Sequence, residues 1–309
     1  MDLCIFTRAY QEFKFDEALE KIKAHELSNL EITSNNKSIH LDLDIALENE
    51  YRKNFEKVIT KNDMSIPAIS IHRDSQLVLG PYGDATARFC SGTPDEQINY
   101  GIQRTLQAGR VAREYGIPVV VGYLGCADFS QWYPWPNKDG WNCQLNIAKE
   151  RWMPILEKYD KWGVKFAHEI APQQIAYNLE TAEEIRDIFD CESFGFCYDP
   201  SNLVLTGVNS LICIERLADK IFHVHAKDAE ITHHAPVSGW MSHGDFGRSD
   251  RGFRFRIPGW GDLEWKKILT TLKTSGYNGM ISIEIEDSTV GIDEGIRKTI
   301  QYLKPLLFD

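Results

Sequence analysis

A parallel (β/α)₈ barrel is the fold this 309-residue sequence predicts, on three observations. Eight short apolar runs end in polar residues, a helical pattern follows each of them, and the alternation never separates into strand-rich and helix-rich halves. A right-handed crossover helix returns each parallel strand beside the last, so eight such units favour closure into a ring. An open, doubly wound sheet is the competing arrangement.

The strands fall near 2–6, 29–33, 65–71, 117–122, 164–169, 194–199, 220–226 and 280–285. They are mostly continuous apolar runs, as expected of parallel strands covered on both faces. Helical periodicity follows near 16–26, 43–62, 94–115, 142–162, 178–189, 209–217, 263–274 and 291–305. Thr93-Pro94-Asp95-Glu96 places a capping residue before a proline, and Thr181 with Glu184 has the spacing of a capping box. Two connections are too long for plain βα loops. They lie near 123–142, with Trp132, Tyr133, Trp135 and Trp141, and near 229–262, rich in Gly, His and Arg. Both follow strands, so both belong to the face of a barrel that carries catalysis. No linker, low-complexity tract or repeat divides the chain, which reads as one domain over 1–309.

Composition narrows the function. A 43% hydrophobic, 26% charged chain with no long apolar run suits a globular protein with a sizeable core and no membrane span. Met1-Asp2-Leu3-Cys4 leads straight into strand-like sequence without a signal segment, so a cytoplasmic enzyme is expected. The seven cysteines, at 4, 90, 126, 143, 191, 197 and 213, form no CxxC pair and read as reduced thiols. A net charge of −11 with no basic cluster argues against a nucleic-acid partner. No glycine-rich phosphate loop and no GxSxG elbow is present, which argues against nucleotide cofactors and acyl chemistry.

Chemistry enters at the strand ends. Glu169, Asp199, His225 and Glu284 close four successive strands, and in a barrel those tips converge at one mouth. Three carboxylates brought together without a counter-charge would raise one another's pKa, and a divalent cation resolves the conflict. Carboxylates with one imidazole suit Mn²⁺ first, with Mg²⁺, Co²⁺, Zn²⁺ or Fe²⁺ as alternatives. His223 shares a strand face with His225, and Glu286 with Glu284, so each offers a second choice; the strand tip favours His225 and Glu284. Lys227 and Asp228 are expected to pair at the barrel rim.

Tyr198-Asp199-Pro200-Ser201-Asn202-Leu203, His223-Val224-His225-Ala226-Lys227-Asp228, Phe255-Arg256-Ile257-Pro258-Gly259-Trp260-Gly261 and Ile283-Glu284-Ile285-Glu286-Asp287 carry a resemblance to a known family. The chain resembles the sugar phosphate isomerase/epimerase group of xylose-isomerase-like TIM barrels across nearly its whole length. That resemblance implies Glu169, Asp199, His225 and Glu284 as ligands of one divalent metal, and an aromatic segment from Trp132 to Trp141 near the substrate. It departs from the pattern in having Asn202 and Ala171 where many relatives carry histidine, while His168 immediately precedes Glu169. In that last respect it is similar to the C-glycoside deglycosidase catalytic subunits, which implies a small β-rich partner chain; a homo-oligomer is the alternative.

The shared reaction of such a group is abstraction of a proton next to a sugar carbonyl, through an enediolate that the metal stabilises. An isomerase or epimerase would use Glu169 and Glu284 on the two sides of the substrate. A lyase would use His168 or His72 to eliminate the group at C1 of a 3-oxo-glycoside. His72, Trp132, Trp135, Asn202, His223 and Arg256 are the expected substrate contacts. His168 is also open to a packing role, because neighbouring strand residues face opposite sides. More remote readings are an abasic-site endonuclease with a second metal site at His233, His234 and His243, and a subunit without catalysis.

Overall fold

The computed structural model describes residues 1–128, 138–232 and 239–308. Eight parallel strands close into a barrel: β1 (Asp2–Phe6), β2 (Asn29–Thr33), β3 (Ser65–Ser70), β4 (Val119–Gly122), β5 (Lys165–Glu169), β6 (Phe194–Tyr198), β7 (Ile221–Ala226) and β10 (Met280–Ile283). The last strand pairs with the first, Ile5 against Ile283, which shuts the ring. No exposed sheet edge then remains in the barrel.

Helices cover the outside, among them Phe15–Ala24, Asn49–Lys61, Pro94–Tyr115, Gly140–Trp162, Leu179–Phe189, Ser210–Leu217, Trp265–Thr274 and Ile292–Leu303. Thr93 caps Pro94–Tyr115 as expected, and Glu96 reaches back to complete a reciprocal box. The cap of Leu179–Phe189 is instead Asn178 with Thr181, because Asn178 Oδ1 accepts the Thr181 N–H at 2.9 Å. Helix Asn49–Lys61 starts six residues later than its apolar pattern, after a stretch of turns that buries Leu43 and Ala46.

Strand alternation sorts the side chains into two layers. Ile5, Ile32, Ile69, Val120, Phe166, Phe196, Val224 and Ile283 join the large core shared with the helices. Ala68, Val119, Val121, Ala167 and Cys197 form a small separate cluster with half-buried Phe222. Small residues in this second layer leave space inside the barrel for polar groups. The long connection after β7 contains structure that its Gly-rich composition conceals: β8 (Asp228–Ile231) pairs antiparallel with β9 (Phe253–Arg256), Asp228 opposite Arg256.

Candidate metal and substrate site

Glu169 ends β5, Asp199 follows β6, His225 lies near the end of β7, and Glu284 follows β10. Each offers one ligand atom, all lie within 4.8 Å of one another, and all four residues are buried. His225 Nδ1 lies 3.3 Å from Glu284 Oε2 and 3.7 Å from Glu169 Oε2 without a well-aligned hydrogen bond to either. An imidazole nitrogen facing carboxylate oxygens in this way in the interior is the arrangement a cation would complete. The set fits one divalent metal: three hard oxygen donors, one imidazole and no thiolate.

Two cations share this region, and neither is recognisable as a site residue from sequence. Lys227 Nζ lies 2.7 Å from Glu284 Oε2, 3.0 Å from Asp199 Oδ2 and 3.0 Å from Glu286 Oε2. The expected pair with Asp228 is therefore absent. Lys227 turns into the mouth, while Asp228 accepts N–H groups from Ala229, Gly259, Leu263 and the Trp265 indole. Arg8, just beyond β1, reaches Glu284 Oε1 at 3.2 Å and Glu286 Oε1 at 2.8 Å. Two cations against four carboxylates leave net negative charge, and the pKa directions register the crowding. Burial, then repulsion from Glu169 and Glu284, raises Asp199 against the pull of Lys227. Burial also opposes ionisation of Glu169, but the close His72 imidazole and the charges of His225 and Lys227 hold its carboxyl below the usual range.

His72 lies in the site, with Nδ1 2.7 Å from Ser70 Oγ and Nε2 2.7 Å from Glu169 Oε2. Asn202 donates to Glu169 Oε1 at 2.7 Å and to Asp199 Oδ2 at 3.2 Å, so it braces the two carboxylates. Trp132 and Trp135 lie outside the described residues, as do Tyr133, His233 and His234. Trp141 donates its indole N–H to Glu184 at 2.6 Å and packs against the core. His243 is exposed.

Three expected roles give way to geometry. His168 faces outward from β5, as its neighbours' inward positions require: Nδ1 accepts the Leu124 N–H at 3.2 Å, and Nε2 donates to the Ala176 carbonyl at 3.2 Å. Both ring nitrogens are thus occupied by backbone, leaving none for a substrate. His223 lies below the mouth, 2% exposed, with Nε2 3.0 Å from Glu31 Oε2. Arg256 is clamped by Glu230 and by Asp287, the latter at 3.0 Å, and so ties β9 to the segment after β10.

Burial lowers the His168 pKa from 6.5 to about 4. A base whose folded pKa is depressed gives stability that is present above 6.5 and lost as pH falls through 4. That loss should amount to about 3 kcal/mol at the acid end. His168→Gln, which keeps one donor and one acceptor, should flatten this limb; urea melts at neutral and acid pH check it.

Glu31, in the middle of β2, is the buried charge that sequence reading passed over. Its carboxylate touches His223, His225 and Ser282 inside the barrel. Its signal was available: one acid inside a strand of otherwise buried residues, Asn29-Leu30-Glu31-Ile32-Thr33.

Above the cluster opens a cavity of about 440 Å³, lined in part by Tyr123, Asn202, Lys227 and Glu286. Its outer wall is apolar, formed by Trp240, Met241, Phe246, Phe253 and Phe255. Arg251 holds that wall in shape: it is buried, it donates to the carbonyls of Phe253 and Gly244, and its guanidinium lies 4.3 Å from the Phe246 ring centroid. Gly252 permits the fold, because a Cβ there would strike the Gly239 carbonyl.

Relatives agree with this architecture. The chain is 27% identical over 318 aligned positions to the uncharacterized protein YfiH of Bacillus subtilis, covering 98% of each. It is 26% identical over 149 positions to an inosose dehydratase of Lacticaseibacillus casei, covering 46% of this chain and 49% of that protein. The solved structure of the IOLI protein with a bound zinc atom superposes with a TM-score of 0.68 at 17% identity, covering 99% of this chain and 98% of that one. A family model matches residues 13–306, and the chain belongs to the xylose isomerase-like TIM barrel family.

Proposed function

We propose that this protein is a divalent-metal-dependent carbohydrate enzyme that removes a proton next to a sugar carbonyl, acting as an isomerase or epimerase. The observation that carries this reading is His225 Nδ1, without a well-aligned hydrogen bond among the carboxylates of Glu169, Asp199 and Glu284. These four residues would hold the metal, with Mn²⁺ as first choice and Mg²⁺, Co²⁺, Zn²⁺ or Fe²⁺ as alternatives. When bound, the ion supplies Lewis-acid stabilisation of negative charge on substrate oxygen.

The rest of the work falls to the chain. One of Glu169 and Glu284 takes the proton from the carbon beside the carbonyl, and the other returns a proton on the neighbouring carbon or the opposite face. Asn202 keeps Glu169 and Asp199 in register. Lys227 holds positive charge against Asp199, Glu284 and Glu286 at the cavity floor, where an oxyanion would form. The apolar outer wall would limit water at the reacting carbon once substrate fills the cavity.

A second reading is a lyase on 3-oxo-glycosides. The same proton is removed, and the C1 substituent departs with the bonding electron pair and is protonated. The apolar outer wall, suited to an aglycone, and the dehydratase among the relatives favour it. His168 is too occupied to be its base, which leaves His72 beside Glu169. A small β-rich partner chain would accompany this reading, and self-association the first. Under both the substrate is a small sugar or glycoside in the cytoplasm. Among the described residues no helix is long and apolar enough to cross a membrane.

Elemental analysis followed by mass spectrometry separates the readings. Bound metal with an isobaric product from a free ketose supports the isomerase or epimerase; release of an aglycone from a 3-oxo-glycoside supports the lyase. Absence of metal after refilling with each candidate ion would sink both.

A further inference from the structure

Below the proposed metal ligands the barrel encloses a carboxylate with no access to solvent. Glu31 is 0% exposed. Its Oε2 lies 2.7 Å from Ser282 Oγ, 3.0 Å from His223 Nε2 and 3.1 Å from His225 Nε2, and its Oε1 lies 3.2 Å from His225 Nε2. We propose that Glu31 is a positioning residue that fixes the tautomer and ring orientation of His225 and thereby sets the metal affinity of the site. The inference rests on the metal reading above.

The chemistry follows from what a carboxylate can exchange. It accepts and does not donate, so the nitrogen of His225 that faces both its oxygens carries the proton. In the neutral imidazole that a metal binds, that leaves the lone pair on Nδ1, the nitrogen directed at Glu284 and Glu169 without a well-aligned hydrogen bond to either. The opposite tautomer would point a proton into the ligand cluster and offer a cation nothing. Orientation is fixed as firmly as protonation. His223 and Ser282 hold the same oxygen from β7 and β10, and Phe6 stacks on the His225 ring at a centroid distance of 5.7 Å.

Burying such a charge is costly, and the adjoining layer of Ala68, Val121, Ala167 and Cys197 is apolar. A carboxylate behind a ligand histidine is explained by what it does to that ligand, since partners of this kind raise its basicity and hold its geometry.

The test is Glu31→Gln in the full-length protein. A glutamine offers one acceptor and an NH₂ group where the carboxylate offers two acceptors, so it cannot serve both imidazoles as Glu31 does. Affinity for Mn²⁺ and Co²⁺, measured by competition with a chelator, should weaken by about 10–100-fold. The visible spectrum of the Co²⁺-loaded protein should change at equal loading. Metal affinity within about twofold of the parent, with an unchanged Co²⁺ spectrum, overturns the proposal even if the metal-free protein melts lower, because a purely structural role would move only the melting temperature. If Glu31→Gln does not fold, Ser282→Ala decides, since it retains the charge and removes one hydrogen bond to Oε2. Several-fold weaker binding supports the proposal, and unchanged binding overturns it. Failure of the parent protein to take up either ion is the separate failure of the metal reading, and the role of Glu31 falls with it.

Discussion

Glu169→Gln should abolish stable metal binding and lower kcat by roughly 10²–10⁴-fold, the range expected when a positioned acid–base group is lost. The amide is nearly the same shape as the carboxylate, so the barrel should survive. What changes is charge: the oxygen facing His72 at 2.7 Å and His225 at 3.7 Å loses its anion. Asp199→Asn is the matched control. Asp199 also caps the helix Pro200–Thr206, its Oδ1 accepting the Ser201 N–H at 2.9 Å, and asparagine caps about as well. Loss of metal from this variant would therefore not reflect a lost cap. Elemental analysis and turnover of both variants, beside their melting temperatures, check the pair. Full metal content in both would mean that the ligand set is wrong.

Lys227→Met should destabilise the metal-free protein by about 3–5 kcal/mol, the cost typical of removing one partner from a buried ion pair. The lysine side chain is 3% exposed and pairs with three carboxylates at once. Arg8 can offset part of the loss at Glu284 and Glu286 but does not reach Asp199. Added Mn²⁺ should restore part of the deficit, because a divalent ion neutralises the same oxygens and ligand binding stabilises the folded state. Melting curves of the variant with and without the ion measure both effects. A variant as stable as the parent without metal would show that the three carboxylates do not depend on this charge.

Strand order and the four convergent side chains were legible in the sequence because both follow from periodicity. A parallel barrel strand is an apolar run, its tip is polar, and tips share one face. The same periodicity gave His168 an outward direction, and the Leu124 and Ala176 backbone groups that meet it there come from loops no local pattern predicts. His223 and His225 share a strand face, so alternation alone could not say that one sits at the mouth and the other below it. Lys227 has the sequence neighbourhood of a rim residue. Its direction is set by carboxylates arriving from the segments after β6 and β10. The β8–β9 pair was hidden because Gly, His and Arg dominate the connection that contains it.

The partners of Glu31 also bear on how the chain folds. Its hydrogen bonds to His223 and Ser282 span 192 and 251 residues of sequence. A half-barrel built from the first four strands would hold an ionised acid on its inner face with none of these partners, which penalises dehydrating that surface early. Such a half should stay hydrated and loosely packed until β7 and β10 arrive, making late ring closure the cooperative step. The carboxylate then serves as a register check, since a barrel closed out of alignment would trap an uncompensated charge inside.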